Sequence, residues 1–331
     1  MLPVVQKAPD AFTSWAAQVI DSVADVITHG RRFDLLITFG APMSDHLIGF
    51  KLKSHFGMPW VAHFSDPWVD NPFTSSDWMT NAINRSLERK VLSLTDRAIF
   101  TSEETIDLVF RKYPATWRTK ARVLPHAFDN RLFEGAEGER ESRITIRYLG
   151  DFYGPRTPRP LFEAARQLLD SDPSSLANVH FELIGNLGLQ AAEAGLIEGL
   201  PPEMVSIRRP VGYLESLSLM RTSDGLLVID APAAQSVFLP SKLIEYIGSE
   251  RPIFGISPPG AAAQLIAELG GWVADPADRA RVRAQLAAFV QFLRTARAER
   301  AISWGSTDIR DRFEISAVSR MFSEIIEELA A

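Results

Sequence analysis

Two short stretches of the sequence place a cation where a helix begins. FLPSKLIEYI (238–247) opens an apolar, helix-forming run with Pro240 and Ser241 and sets Lys242 and Glu245 three residues apart. That spacing puts both charges on one helical face. Proline suits the first helical turn, but Lys242 opposes the helix dipole there and is mildly unfavourable unless it answers an anion. RYLGDFYGPRTPRPLFEAA (147–165) reads as a strand ending at Gly150, a turn rich in Gly and Pro, and a helix starting near residues 157–160. Backbone N–H groups at such a turn point toward an anion, and Arg156 adds a planar fork suited to phosphate. Alone, each stretch also reads as a surface ion pair or an exposed turn. Together, two cation-bearing helix starts in one domain point to a diphosphate.

Other chemistries find little support. The six histidines, His29, His46, His55, His63, His126 and His180, include no pair four residues apart, the spacing of a helical zinc site. Asp66 and Asp70 are too widely spaced for a tight Asp-x-Asp cation clasp, and no G-x-S-x-G elbow or P-loop lysine motif occurs. No metal and no cofactor are therefore expected. The absence of cysteine rules out disulfides and a thiol nucleophile. A net charge of -6 argues against a nucleic-acid binder. Residues 1–130 carry 14 Lys+Arg against 14 Asp+Glu, and residues 131–331 carry 21 against 27, so the second part holds the whole excess. The first 30 residues lack the pattern of a signal peptide and no run approaches 18 apolar residues, which makes a cytoplasmic protein the expectation. The basic segment RKYPATWRTKAR (111–122) fits peripheral contact with the inner face of a membrane, and equally a solvated loop.

The elements that must position these residues alternate nearly throughout. Strand candidates are 33–39, 60–64, 97–102 and 122–125 in the first part, then 144–150, 179–185, 205–207, 225–230, 252–257 and 271–274. Helical patterns are expected at 11–30, 44–56, 77–95, 103–113, 159–170, 188–197, 214–221, 240–248, 260–269, 276–296 and 308–330. Near-continuous apolar strands separated by helices mean parallel sheets covered on both faces. The expected class is α/β with two doubly wound, Rossmann-like domains facing a cleft, with the ligand at the carboxyl ends of the strands. The boundaries read as 1–129 for a first domain, 130–142 for a charged connection, 143–307 for a second domain, and 308–331 for a final helix. The first domain opens with a helix, where a strand and a glycine-rich turn are usual.

In order, RYLGDFYGPRTPRPLFEAA, HFELIG, RPVGYLESLSLMRTSDGLLVID and FLPSKLIEYIGSERPIFGISPPGA resemble the donor-binding half of family 4 glycosyltransferases, which have the GT-B fold. Upstream, FDLLITFGAPMSDHLIGFKLKSHFGMPWVAHFSDPW, RAIFTSEET and VLPHAFD resemble the later part of the acceptor-binding half. The resemblance thus implies an acceptor-binding domain over 1–129, a nucleotide-sugar donor-binding domain over 143–307, and a helix over 308–331 that packs back on the first domain. The family's first strands and glycine-rich loop have no counterpart, so the N-terminal domain is expected to be incomplete. Its exposed edge strand would then suit a partner chain.

The resemblance implies transfer of a sugar from a nucleotide-sugar donor to a hydroxyl of a glycan or lipid-linked glycan, with retention and without metal. It assigns Gly150, Arg156 and Lys242 to the diphosphate, Glu245 to the ribose, and Gly212 and Tyr213 to the loop that receives the nucleobase. A carboxylate accepting from two ribose hydroxyls makes charge-assisted bonds, the stronger kind. Val237 stands where the family has a sugar-contacting glutamate, so Ser236 or the backbone N–H groups of Phe238 and Leu239 would recognise the sugar. Asp151 replaces a family arginine. Asp66 falls near the reacting centre, to take the acceptor proton or steady developing charge; a turn cap is its ordinary alternative. Trp68 and Trp78 read as acceptor-path or packing residues. A non-catalytic nucleotide-sugar-binding relative or partner subunit is the rival reading. A sugar-nucleotide epimerase of the same architecture would need a carboxylate and histidine constellation that is not evident.

Overall fold

A computed structural model describes residues 8–71, 77–134, 141–186, 195–299 and 304–330. They divide into two units, one of residues up to Pro125 together with those from Ser319 onward, the other spanning His126–Val318. In the first unit the order is α1 (Thr13–Thr28), β1 (Leu36–Phe39), α2 (Ser44–Phe56), β2 (Trp60–Phe64), α3 (Trp78–Leu94), β3 (Arg97–Phe100), α4 (Glu103–Phe110) and β4 (Ala121–Val123). Its strands lie in sequence order and pair in parallel, with Leu36 opposite Trp60 and Val61 opposite Arg97. Polar caps set where the helices begin: Asp77 accepts from the N–H groups of Met79 and Thr80 for α3, and Ser102 accepts from Thr105 for α4.

The second unit continues with α5 (Asn130–Phe133), β5 (Ile144–Leu149), α6 (Arg159–Ser171), β6 (Val179–Ile184), β7 (Val205–Arg208), α7 (Tyr213–Thr222) and β8 (Gly225–Ile229). Then follow α8 (Ser241–Ser249), β9 (Ile253–Ile256), α9 (Ala261–Glu268), β10 (Trp272–Ala274), α10 (Arg279–Ala298), α11 (Thr307–Asp311) and α12 (Ile315–Ala330). The sheet order is β10-β9-β8-β5-β6-β7, all parallel. Every residue of β5, β6, β8 and β9 is buried, because side chains alternate between two covered faces. Leu227, Ile229 and Phe254 pack with Phe162 and Phe289 on one face. Leu226, Val228 and Ile253 pack with Leu243, Ile247 and Ile266 on the other. Each fully buried side chain of this size contributes about 1.5–3 kcal/mol.

The α/β class with parallel sheets is as the alternation predicted, and most element boundaries fall within a few residues of expectation. Two differ. The helix expected over 308–330 is broken into α11 and α12, because Phe313 is buried in the core and the Phe128 N–H donates to its carbonyl at 3.0 Å. Phe128 in turn accepts from the Ile315 N–H at 2.8 Å. The helix expected over 103–113 stops at Phe110, and a 3-10 turn follows over Ala115–Lys120. The helix expected over 188–197 falls mainly outside the described residues, as does the middle of the 130–142 connection. Among the described residues no helix is long and apolar enough to cross a membrane.

Candidate functional site

In the second unit the chain starts at β5, builds outward through β6 and β7, and then crosses back to place β8 on the other side of β5. The order in which strands are added therefore reverses between β5 and β8, the point at which open parallel sheets bind ligands beyond their carboxyl ends. Gly150 follows β5 and Asp230 follows β8, so both turns emerge side by side. Arg156, in the turn after β5, reaches across with Nη2 3.3 Å from Asp230 Oδ1. Asp230 is 2 % exposed and has further partners. Its Oδ1 accepts from the Ala231 N–H at 2.9 Å, and its Oδ2 from the Ser236 hydroxyl at 2.8 Å.

The Arg156 guanidinium also lies 4.6 Å from the Tyr153 ring centroid. Burial disfavours its charge, yet Tyr148, Tyr153 and Asp230 together hold its pKa above the usual arginine value. The Tyr148 hydroxyl is itself pushed up to about 12, burial outweighing the pull of Arg156. Buried Arg156 Nε has no hydrogen-bond partner among the described residues.

Backbone contacts lock the turns in place. Gly150 donates its N–H to Ile184 at 2.9 Å, and a Cβ on Gly185, whose φ is +151°, would stand 2.0 Å from the Gly150 carbonyl oxygen. Only glycine fits so close an approach. Asp151 accepts from the Asn186 N–H at 2.7 Å and from Asn186 Nδ2 at 3.2 Å. Where an arginine was expected to meet phosphate, this carboxylate staples the turn after β5 to the turn after β6.

The second cluster forms on α8. Leu243, Ile244, Tyr246 and Ile247 are buried, which leaves Lys242 and Glu245 together on the remaining face, Nζ to Oε2 2.6 Å. The Lys242 ammonium stands 5.8 Å from the Tyr213 ring centroid. Burial, followed by the nearby charges of Glu245 and Asp129, raises the Tyr213 hydroxyl pKa. Tyr213 is half exposed, and Gly212 before it faces open space. Extended Pro240 precedes α8, whose first turn has no side-chain cap, so its N–H groups lack the usual local acceptor.

Tyr246 links the two clusters. β5 pairs with β8 at Ile146–Gly225 and Arg147–Leu226. Further along β5, the buried Tyr246 hydroxyl accepts from the Leu149 N–H at 2.8 Å. The last residue of β5 is thereby tied to the middle of α8.

The residues expected to meet the donor sugar divide. Ser236 is buried, its hydroxyl given to Asp230 and its N–H donated to Pro259 at 2.8 Å. Leu239 is buried in the core, while Val237 and Phe238 are half-buried. Asp230, which sequence reasoning passed over, emerges as the centre of the first cluster. Its signal was a carboxylate closing an apolar parallel strand, GLLVID.

In the first unit Asp66 sits half-buried in the turn after β2. The chain beyond it is anchored from below by Glu88, 1 % exposed on α3. Glu88 accepts from the Val69 N–H at 3.0 Å and the Tyr113 hydroxyl at 2.7 Å, and pairs with Lys112 at 2.8 Å. Lys112 also pairs with Asp70. Trp68 is buried in this unit's core, whereas Trp78 is exposed. Four of the five cations of the basic segment 111–122 have partners within this unit. Besides Lys112, Arg118 pairs with Glu103 and Asp107, Lys120 donates to the Ser93 carbonyl, and Arg122 pairs with Glu328. Among the described residues no three acidic or histidine side chains converge as a metal-holding set.

No protein-family model matches the chain, and no curated protein sequence matches it. Solved structures do. Anabaena HepE in complex with UDP aligns over 95% of this chain and 82% of its own, with TM-score 0.65 and 14% identity. Sucrose-phosphate synthase from Thermosynechococcus elongatus aligns over 96% and 79%, with TM-score 0.67 and 17% identity. Trehalose 6-phosphate synthase from Burkholderia multivorans aligns over 96% and 76%, with TM-score 0.70 and 16% identity. At these identities the likeness is one of fold, and the fold is GT-B.

Proposed function

We propose that this protein is a glycosyltransferase that moves a sugar from a nucleotide-sugar donor to a hydroxyl of a glycan or lipid-linked glycan, with retention and without a metal. The observation that carries the reading is the pair of cations at the switch point. Arg156, in the turn after β5, and Lys242, in the first turn of α8 after β8, each rest on a carboxylate. A nucleoside diphosphate would take Arg156, Lys242 and the first turn of α8 as its phosphate partners, Glu245 as its ribose partner, and the Gly212–Tyr213 turn as its base platform. Releasing Lys242 from Glu245, a partly buried pair, is offset by the new contacts that each makes with the diphosphate and the ribose. UDP in complex with HepE, a protein of this fold, supports the same ligand class.

In the transfer the bond from the anomeric carbon to the phosphate oxygen breaks and a bond to the acceptor oxygen forms. Fixed cations and helix N–H groups stabilise the charge that grows on the departing diphosphate. Asp66 takes the acceptor proton or steadies developing charge. Sugar recognition falls to the 237–239 segment, because the Ser236 hydroxyl and N–H are already committed to Asp230 and Pro259.

A second reading has one observation behind it. Asp151, at a position where a phosphate-binding arginine was expected, is committed to Asn186, as in a relative that binds nucleotide sugars without turnover. The two readings separate by measuring sugar transfer and nucleotide affinity on the same preparation. The enzyme reading expects turnover, with Asp66→Ala lowering transfer about 100-fold, in the range of a lost general base, while nucleoside diphosphate affinity stays within about twofold. Tight nucleotide binding with no transfer or donor hydrolysis on any acceptor tried would favour the binding protein.

A further inference from the structure

Asp230 is more firmly held than the arginine it touches. Its carboxylate has short bonds from the Ala231 N–H and the Ser236 hydroxyl, and Ser236 is itself fixed by donating its N–H to Pro259. Gly260 closes the far side, for a Cβ there would lie 1.8 Å from the Ser236 carbonyl oxygen. Arg156 by contrast has one long contact with Asp230, through Nη2, and leaves Nε buried without a partner among the described residues. A buried donor left unpaired costs roughly 1–3 kcal/mol, and such groups call for an explanation such as a ligand. The guanidinium is thus held by Asp230 and by a side-chain hydrogen bond with Tyr148, with Tyr153 against it, while Nε–H has no acceptor among the described residues.

We infer that Asp230, braced by Ser236, is a positioning residue that holds the Arg156 guanidinium so that Nε–H is offered to an oxyanion of the nucleoside diphosphate. It acts through Arg156 and does not touch the ligand. This rests on the donor-site reading above. The arrangement spans the point where the strand order reverses, with Arg156 after β5 and Asp230 after β8. An arginine fixed before the ligand arrives loses less rotamer freedom on binding than a free one, and the geometry of a planar fork makes that orientation count.

Calorimetry on the full chain with UDP, GDP, ADP and TDP, and with the matching nucleosides, tests the inference. For the best-bound diphosphate, Asp230→Asn is expected to raise Kd about tenfold and Ser236→Ala about threefold, with nucleoside affinity unchanged. In an Arg156→Met background, Asp230→Asn is expected to change Kd by less than twofold. A merely structural role would weaken nucleoside and diphosphate alike and would persist without Arg156. Wild-type diphosphate affinity in Asp230→Asn, or the same tenfold loss in the Arg156→Met background, overturns the inference and leaves the donor site standing. If Asp230→Asn does not fold, Ser236→Ala, which removes a single hydrogen bond, decides in its place: an unchanged Kd overturns the inference. No binding of any diphosphate by the wild type overturns the donor-site reading, and this inference with it.

Discussion

At the scale of single residues, the molecule repeatedly pairs a side chain that could act with one that restrains it. Lys242 rests on Glu245 and Arg156 on Asp230, so neither cation is loose. His46 is restrained differently. It is fully buried on α2, its Nδ1 2.8 Å from the Thr38 hydroxyl, and burial, aided by the charge of His63, pushes its pKa down to about 3. The unfolded chain takes up a proton near the ordinary histidine value of about 6.5, whereas the folded protein does not until far lower pH. Between those values the unfolded state binds more protons, so stability falls as pH falls. Denaturant unfolding of wild type and His46→Gln at pH 7.5 and pH 5 should show the wild type losing about 2 kcal/mol more than the variant. An equal loss in both would remove His46 as the source.

At the scale of elements, the site depends on how β5, β8 and α8 are joined. The Tyr246 hydroxyl accepts from the last N–H of β5, and its proton is held tightly, burial driving its pKa well up. Tyr246→Phe leaves the Leu149 N–H unpaired in the interior, at a cost of about 1–3 kcal/mol. Its urea midpoint should fall accordingly, while a stability equal to wild type would show that the bond contributes nothing. The sequence marked α8 and the turn after β5 as important because a cation at a helix start is unusual. It did not mark Tyr246, which reads there as one more core aromatic. Asp230 was missed for a similar reason, since an acid after an apolar strand looks like an exposed turn residue until its partners are seen. Arg147 was likewise absorbed into the strand ITIRYL, though it is buried and paired with Glu182 at 2.5 Å. Periodicity reports which residues are apolar; it carries no information on which polar groups find one another across sheets. The break at Phe313 escaped notice because a buried phenylalanine continues a helical pattern as well as it interrupts one.

At the scale of the whole molecule, two parallel α/β units were legible because most of their strands are predominantly apolar, the mark of sheets covered on both faces. Strand order was not legible, and it is the order that gives the cations their meaning. Only with β8 beside β5 do residues 156 and 230, far apart in sequence, face each other at the reversal. Fold likeness to HepE, sucrose-phosphate synthase and trehalose 6-phosphate synthase places the molecule among GT-B architectures, and the chemistry must then come from the site. Calorimetric titration of nucleoside diphosphates into wild type, Lys242→Ala and Glu245→Ala addresses that site directly. The account predicts a wild-type complex weakened about tenfold or more by each substitution, in keeping with lost charge-assisted bonds of roughly 1.5–3 kcal/mol. Wild-type affinity retained by both variants would contradict it.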